Sequence, residues 1–239
     1  MKQDASTSGR LSAPIFPKYY FNRKFKLFFL TTFFSILIFV IWLAFPQPNY
    51  KIWPPQEKDE KYLIHLTVGD FHTCLNFPDY ELGVYQEWHM GAKEWYLSDN
   101  SNIYEVAKKA VADKVPGVIR FGVFSRPFWE RENMPKEDVF TFWLSKEGFD
   151  RLKSALHKNR GKKISKDDSF WFFEHKKGYH LIDNCNGFIA EAVNAAGLPV
   201  RKILSQERYS MLWQLNRCRA IQNEFYTTNS TTQQKLRAF

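Results

Sequence analysis

Cys185, His72 and the pair Glu87 and His89 are the residues of this sequence whose types and spacing suit covalent chemistry. Cys185 stands in Asn184-Cys185-Asn186, where the run Tyr179 to Asp183 gives way to an amphipathic helical pattern. A thiol at a helix start faces unpaired N–H groups, which favour the thiolate and offer a place for an oxyanion. His72 lies 113 positions upstream in a strand-like segment and is the candidate general base. Glu87 and His89 alternate in Gly83 to His89 (GVYQEWH), so they share one strand face. The plainer readings stand beside these. A lone cysteine is often a small buried hydrophobe, although the polar flanks Asn184 and Asn186 are unusual for an apolar niche. A lone strand histidine is often structural. His180, five residues before Cys185, is a rival base, and His65 between apolar neighbours reads as structural.

These residues need elements to hold them. Tyr62 to Val68 (YLIHLTV), Phe71 to Phe77, Gly83 to His89, Gly117 to Phe124, Asp138 to Leu144 and Phe170 to Phe173 read as strands, with Gly69-Asp70 as a turn between the first two. Ser101 suits the N-cap of a helix to about Asp113, and Ser145 that of a second helix with Phe149, Leu152 and Leu156 inward. Residues 185–196 place Phe188, Ile189, Ala192, Val193 and Ala196 on one stripe, closed by Gly197 and Pro199. The expected class is α+β, an antiparallel sheet packed on helices.

Leu27 to Phe45 (LFFLTTFFSILIFVIWLAF) carries no charge and ends at Pro46. It has the length of a transmembrane helix and lacks the small-x-small site of a cleaved signal peptide. Lys2, Arg10, Lys18, Arg23, Lys24 and Lys26 precede it against Asp4 alone, so the positive-inside rule places the N-terminus in the cytoplasm. The expected organisation is a cytoplasmic tail at 1–26, an inner (plasma) membrane anchor at 27–45, a linker at 46–60 and an exported, periplasmic or extracytoplasmic domain at 61–239. Five of the nine net positive charges belong to the tail. The remainder forms no basic stripe interleaved with aromatics, which argues against nucleic acid as a partner. Lys162-Lys163 and Lys176-Lys177 read as solvated turns.

Of the three cysteines, Cys74 and Cys218 are able to pair and leave Cys185 free; three reduced thiols are the other possibility. The six histidines form no HxxxH or HExxH and the cysteines no CxxC, so no metal spacing is present and no cofactor is expected.

Three segments in order resemble a bacterial family of unknown function, sometimes encoded beside urease genes. Val68-Gly69-Asp70-Phe71-His72-Thr73-Cys74-Leu75-Asn76-Phe77-Pro78 is similar to its Gly-Trp-His-Thr-Gly opening. Glu87-Trp88-His89-Met90-Gly91 with Trp95-Tyr96 resembles its Glu-Phe-Gly-Trp-Gly and later Phe-Tyr. Asn184-Cys185-Asn186-Gly187-Phe188 and Ala195-Ala196-Gly197-Leu198-Pro199-Val200 resemble its Thr-Cys-Asn-Thr-Trp and Ala-Gly-Leu-Pro-Val close. The likeness spans about residues 62–203, and that family resembles the circularly permuted, papain-like NlpC-type hydrolases, relatives of the lecithin retinol acyltransferase group. The resemblance implies Cys185 as nucleophile, His72 as general base and acid, and Glu87 or His89 as orienter. Its implied activity is a cysteine hydrolase or acyltransferase that needs no cofactor, and the expected topology offers cell-wall peptide, or an acyl-lipid at the membrane, as substrate. The departures cluster at the site: His89-Met90-Gly91 replaces Gly-Trp-Gly, Phe71 the tryptophan and Cys74 the glycine. They keep open a second reading, a binding or scaffold module of the same fold that does no chemistry.

Overall fold

The computed structural model describes residues 23–44, 46–70, 72–98 and 102–237. Two units divide at Trp42/Leu43. The first holds most of helix α1 (Arg23–Ala44), whose large apolar side chains, among them Leu27, Phe33, Ile38 and Trp42, are exposed. Among the described residues no helix is long and apolar enough to cross a membrane.

The second unit is built on one seven-stranded, fully antiparallel sheet in the order β5-β1-β2-β3-β4-β7-β6. Its strands are β1 (Lys61–Val68), β2 (Thr73–Asp79), β3 (Val84–Ala92), β4 (Val115–Phe124), β5 (Val139–Ser145), β6 (Arg160–Lys166) and β7 (Phe170–Tyr179). The expected α+β class and antiparallel sheet are present. Helices α2 (Lys93–Leu97) and α3 (Ile103–Ala112) bridge β3 to β4, and α4 (Phe128–Arg131) follows β4. Helices α5 (Lys146–Lys158), α6 (Cys185–Ala195) and α7 (Arg208–Arg237) complete the domain.

One sheet face is apolar. Ile64, Leu66, Leu75, Phe77, Trp88, Met90, Phe140 and Phe142 are 0–1% exposed and form one core with Leu152 and Leu156 of α5, Ile189 and Val193 of α6, and Met211 and Leu215 of α7. The expected apolar faces of α5 and α6 are therefore the buried ones. Ser145 caps α5 as expected, its hydroxyl accepting from Gly148 N–H at 3.1 Å. Gly197, at φ +100°, ends α6 where a side chain would strike Ile52. Ser101 lies outside the described residues, and α3 is capped by Asn102, whose side chain accepts from Tyr104 N–H.

Several expectations are corrected. The segment 46–60, expected as a linker, sends Ile52 and Trp53 into the core, and Asn49 N–H bonds Gly197 C=O at 3.0 Å. Lys162 and Lys163 lie in edge strand β6, and Lys176 and Lys177 within β7, rather than in turns. A cationic edge such as RGKKISK resists pairing with another sheet, which is why it lacks an apolar alternation. Phe170 to Phe173 is only the first part of a strand that continues to Tyr179. The opposite edge, β5, is covered by α7: Gln222 accepts from Trp143 N–H at 2.9 Å and Arg219 donates to Val139 C=O at 2.8 Å.

Candidate functional site

Strand alternation puts Cys74 and Asn76 of β2 with Glu87 and His89 of β3 on the sheet face opposite the main core. The register sets Asn76 across from Glu87 and His89 across from Arg120 of β4. These polar groups are nevertheless buried: Glu87, His89, Cys74 and Asn76 are at most 1% exposed. Phe128 and Phe170 cover them, each ring edge-on to His89 at 5.4 and 6.1 Å between centroids.

The buried groups satisfy one another in a file. Arg131 donates to Glu87 Oε2, and Glu87 Oε1 accepts from His89 Nε2 at 2.5 Å. His89 Nδ1 meets His72 Nε2, with the two rings stacked at 4.7 Å. Burial pushes the Glu87 carboxyl up, but the hydrogen bonds and charges of His89 and Arg131 outweigh it and hold it below the usual carboxylate range. Burial holds both imidazoles low, His72 well below the usual value, the latter helped by the charges of His89 and Arg120. An ionised Glu87 fixes the direction of the file. His89 Nε2–H must donate to it, so neutral His89 accepts at Nδ1 from His72 Nε2–H. His72 then keeps Nδ1 as its basic atom.

Cys185 begins α6 on the far side of Thr73, the chain neighbour of His72. Asn184 caps the helix: its Oδ1 accepts from Gly187 N–H at 2.8 Å, and its amide donates to Leu181 C=O and Gln206 C=O. Thr73 Oγ1 donates to Asn186 Oδ1 at 2.5 Å, stitching the start of β2 to the start of α6. Backbone N–H groups of Thr73, Asn186 and Cys185 converge on the sulfur. Burial still wins and raises the thiol, so the helix start alone does not give the expected thiolate. Cys185 is 4% exposed.

The structure thus joins His72, His89 and Glu87 directly and brings Cys185 to the residue beside His72. His89 is the side chain that touches His72, and Glu87 stands behind it. His65 is buried, with Nδ1 3.1 Å from Thr141 Oγ1, and His180 accepts from Ile182 N–H. No disulfide joins Cys74 and Cys218 among the described residues. Cys74 Sγ lies 3.6 Å from His89 Nε2, and burial and Glu87 together push its thiol well above the ordinary range. Arg131 was missed in the sequence because it comes from a four-residue helix far along the chain, with no spacing to mark it.

Cys74, Glu87 and His89 offer donor atoms within 4.8 Å of one another, a grouping made by strand pairing that no linear spacing reveals. Both His89 nitrogens and both Glu87 oxygens already have partners, and Arg131 supplies the compensating positive charge. A divalent cation would have to displace that guanidinium. The donors are better matched to proton holding than to metal binding.

An α+β domain with a buried thiol beside a file of ionisable groups is the class that fold and site define. No protein-family model matches the chain, and neither a curated protein nor a solved structure matches it.

Proposed function

We propose that the protein is a cysteine-dependent hydrolase or acyltransferase of the permuted papain-like kind, anchored in a membrane through Leu27 to Phe45. The observation that carries this reading is the directed file Arg131–Glu87–His89–His72, ending one residue from the backbone that bonds Cys185. Such a file gives a base whose tautomer is set and whose Nδ1 is left as the basic atom, which is what a neutral thiol needs. The apolar run without an amphipathic face supports the anchor, since exposed Phe, Leu and Ile on all sides suit lipid. The positive N-terminal flank supports an exported domain.

In this reading His72 Nδ1 takes the Cys185 proton and the sulfur attacks an amide or ester carbonyl. N–H groups at the start of α6 hold the oxyanion. The leaving amine or alcohol takes the proton back from His72 as the carbonyl re-forms, leaving a thioacyl enzyme. Water or an acceptor alcohol, deprotonated by the same imidazole, releases the acyl group. Cell-wall peptide and acyl-lipid are both compatible with an exported site next to a bilayer.

The burial of Cys185 and the cysteine at position 74 favour a second reading, a binding module without chemistry. Alkylation of the full chain in mild detergent, mapped by mass spectrometry, separates the two. The enzyme reading predicts that Cys185 reacts at least about tenfold faster than Cys74 or Cys218, and that Cys185→Ala removes the fast phase with an unchanged thermal midpoint. Equal, slow labelling of all three cysteines favours the binding module.

A further inference from the structure

We infer that Asn186 is the side-chain arm of the oxyanion site, its amide donating to the carbonyl oxygen of an amide or ester attacked by Cys185. This inference rests on the thiol reading above. Asn186 follows the thiol in the chain and is 7% exposed. Its Oδ1 accepts from Cys185 Sγ at 3.6 Å and from Thr73 Oγ1 at 2.5 Å. The amide is therefore in contact with the reacting sulfur, and a hydroxyl from the start of β2 fixes how it lies.

The amide nitrogen is left over. Among the described residues Asn186 Nδ2 donates to no group. The neighbouring Asn184 amide, by contrast, has both Leu181 C=O and Gln206 C=O. Leaving amide N–H donors unused in a residue this buried is costly unless something supplies the acceptor. Nδ2 shares its carbon with the oxygen that meets the sulfur, so the missing acceptor belongs beside the thiol.

The backbone donors at this end of α6 leave a task for it. Gly187 N–H is taken by Asn184 Oδ1, and Phe188 N–H by Asn184 C=O at 2.9 Å. The N–H groups of Cys185 and Asn186 turn to the sulfur itself. An oxyanion forms two bonds beyond that sulfur, where a side-chain donor reaches further than an N–H aimed at the sulfur. As the S–C bond forms, the C=O electron pair moves onto oxygen, and that oxygen accepts from Nδ2–H. Its collapse re-forms the carbonyl and expels the leaving group, which takes the proton that His72 drew from the thiol. Thr73 keeps hold of Oδ1 after the thiol proton has gone, so the donor stays aimed.

p-Nitrophenyl acetate and iodoacetamide test it, since the first acylates through a tetrahedral oxyanion and the second alkylates by direct displacement without one. Both draw on the same activated sulfur, so a change in thiol basicity largely cancels in the ratio of their rates at Cys185. In the full chain in mild detergent, the ratio of acylation to alkylation falls about 100-fold in Asn186→Ala, the worth of one oxyanion donor. Asn186→Asp keeps an oxygen for the Thr73 hydroxyl, and so the link between β2 and α6, but lacks the N–H; it shows at least the same fall. An unchanged ratio in either variant overturns the donor and leaves the nucleophile standing. A parent in which neither reagent labels Cys185 ahead of Cys74 and Cys218 overturns the nucleophile and the donor together.

Discussion

At the scale of single residues, the site keeps its thiol and imidazole neutral. Burial raises Cys185 above its ordinary 9.0, against the pull of three N–H groups, and lowers His72 well below 6.5. A thiol above and an imidazole below their ordinary values leave neither charged near pH 7, so the pair is not a preformed thiolate–imidazolium. The thiolate fraction therefore grows only as pH rises toward and past 9. With His72 already in its basic form at pH 7, the alkylation rate at Cys185 is expected to stay nearly flat from pH 7 to 9, and to climb with a slope of about one per pH unit in His72→Ala, where only free thiolate reacts. A slope of one in the parent as well would show that only free thiolate reacts and that His72 takes no part. Cys74 is held still higher by Glu87, so it lags Cys185 throughout.

At the scale of elements, the start of α6 is what aims the sulfur. Asn184 performs three tasks with one side chain: it caps Gly187 N–H and holds both Leu181 and Gln206 by their carbonyls. Asn184→Ala is expected to destabilise the domain by about 1 kcal/mol in urea titration, the usual worth of an N-cap. The same change slows Cys185 alkylation by loosening the helix start; unchanged stability and rate would remove this element from the account. This helix was legible in the sequence because cap, 3.6-residue stripe, Gly197 and Pro199 all agree. Strand β6 was not, since RGKKISK carries only Ile164 as an apolar side chain. Helix α7 was missed because its buried Met211, Leu215 and Cys218 are diluted among polar residues that serve only to cover an edge. The alternation placing Glu87 and His89 on one face was also readable. Which of them meets His72 depends on the path of the chain before β2 and on the β2–β3 register, and both are tertiary.

At the scale of the whole molecule, the sheet brings together groups from four distant stretches. His72 precedes β2, Glu87 and His89 lie in β3, Arg131 comes from α4, and Cys185 opens α6. Residues 46–60 close the opposite end, where Trp53 is fully buried and Ser145 donates to Ile52 C=O at 2.8 Å. Alternating apolar strands announced the antiparallel α+β class. The burial of residues 46–60 was hidden by Pro54-Pro55 and mixed charge, which look like a linker until Ile52 and Trp53 find a core. The central claim is that residues 72 and 185 act as one chemical unit. The direct test is the Cys185 alkylation rate at pH 8 in His72→Ala against the parent. The account predicts a fall of at least about tenfold with little change in thermal midpoint, whereas equal rates in the two proteins would contradict it.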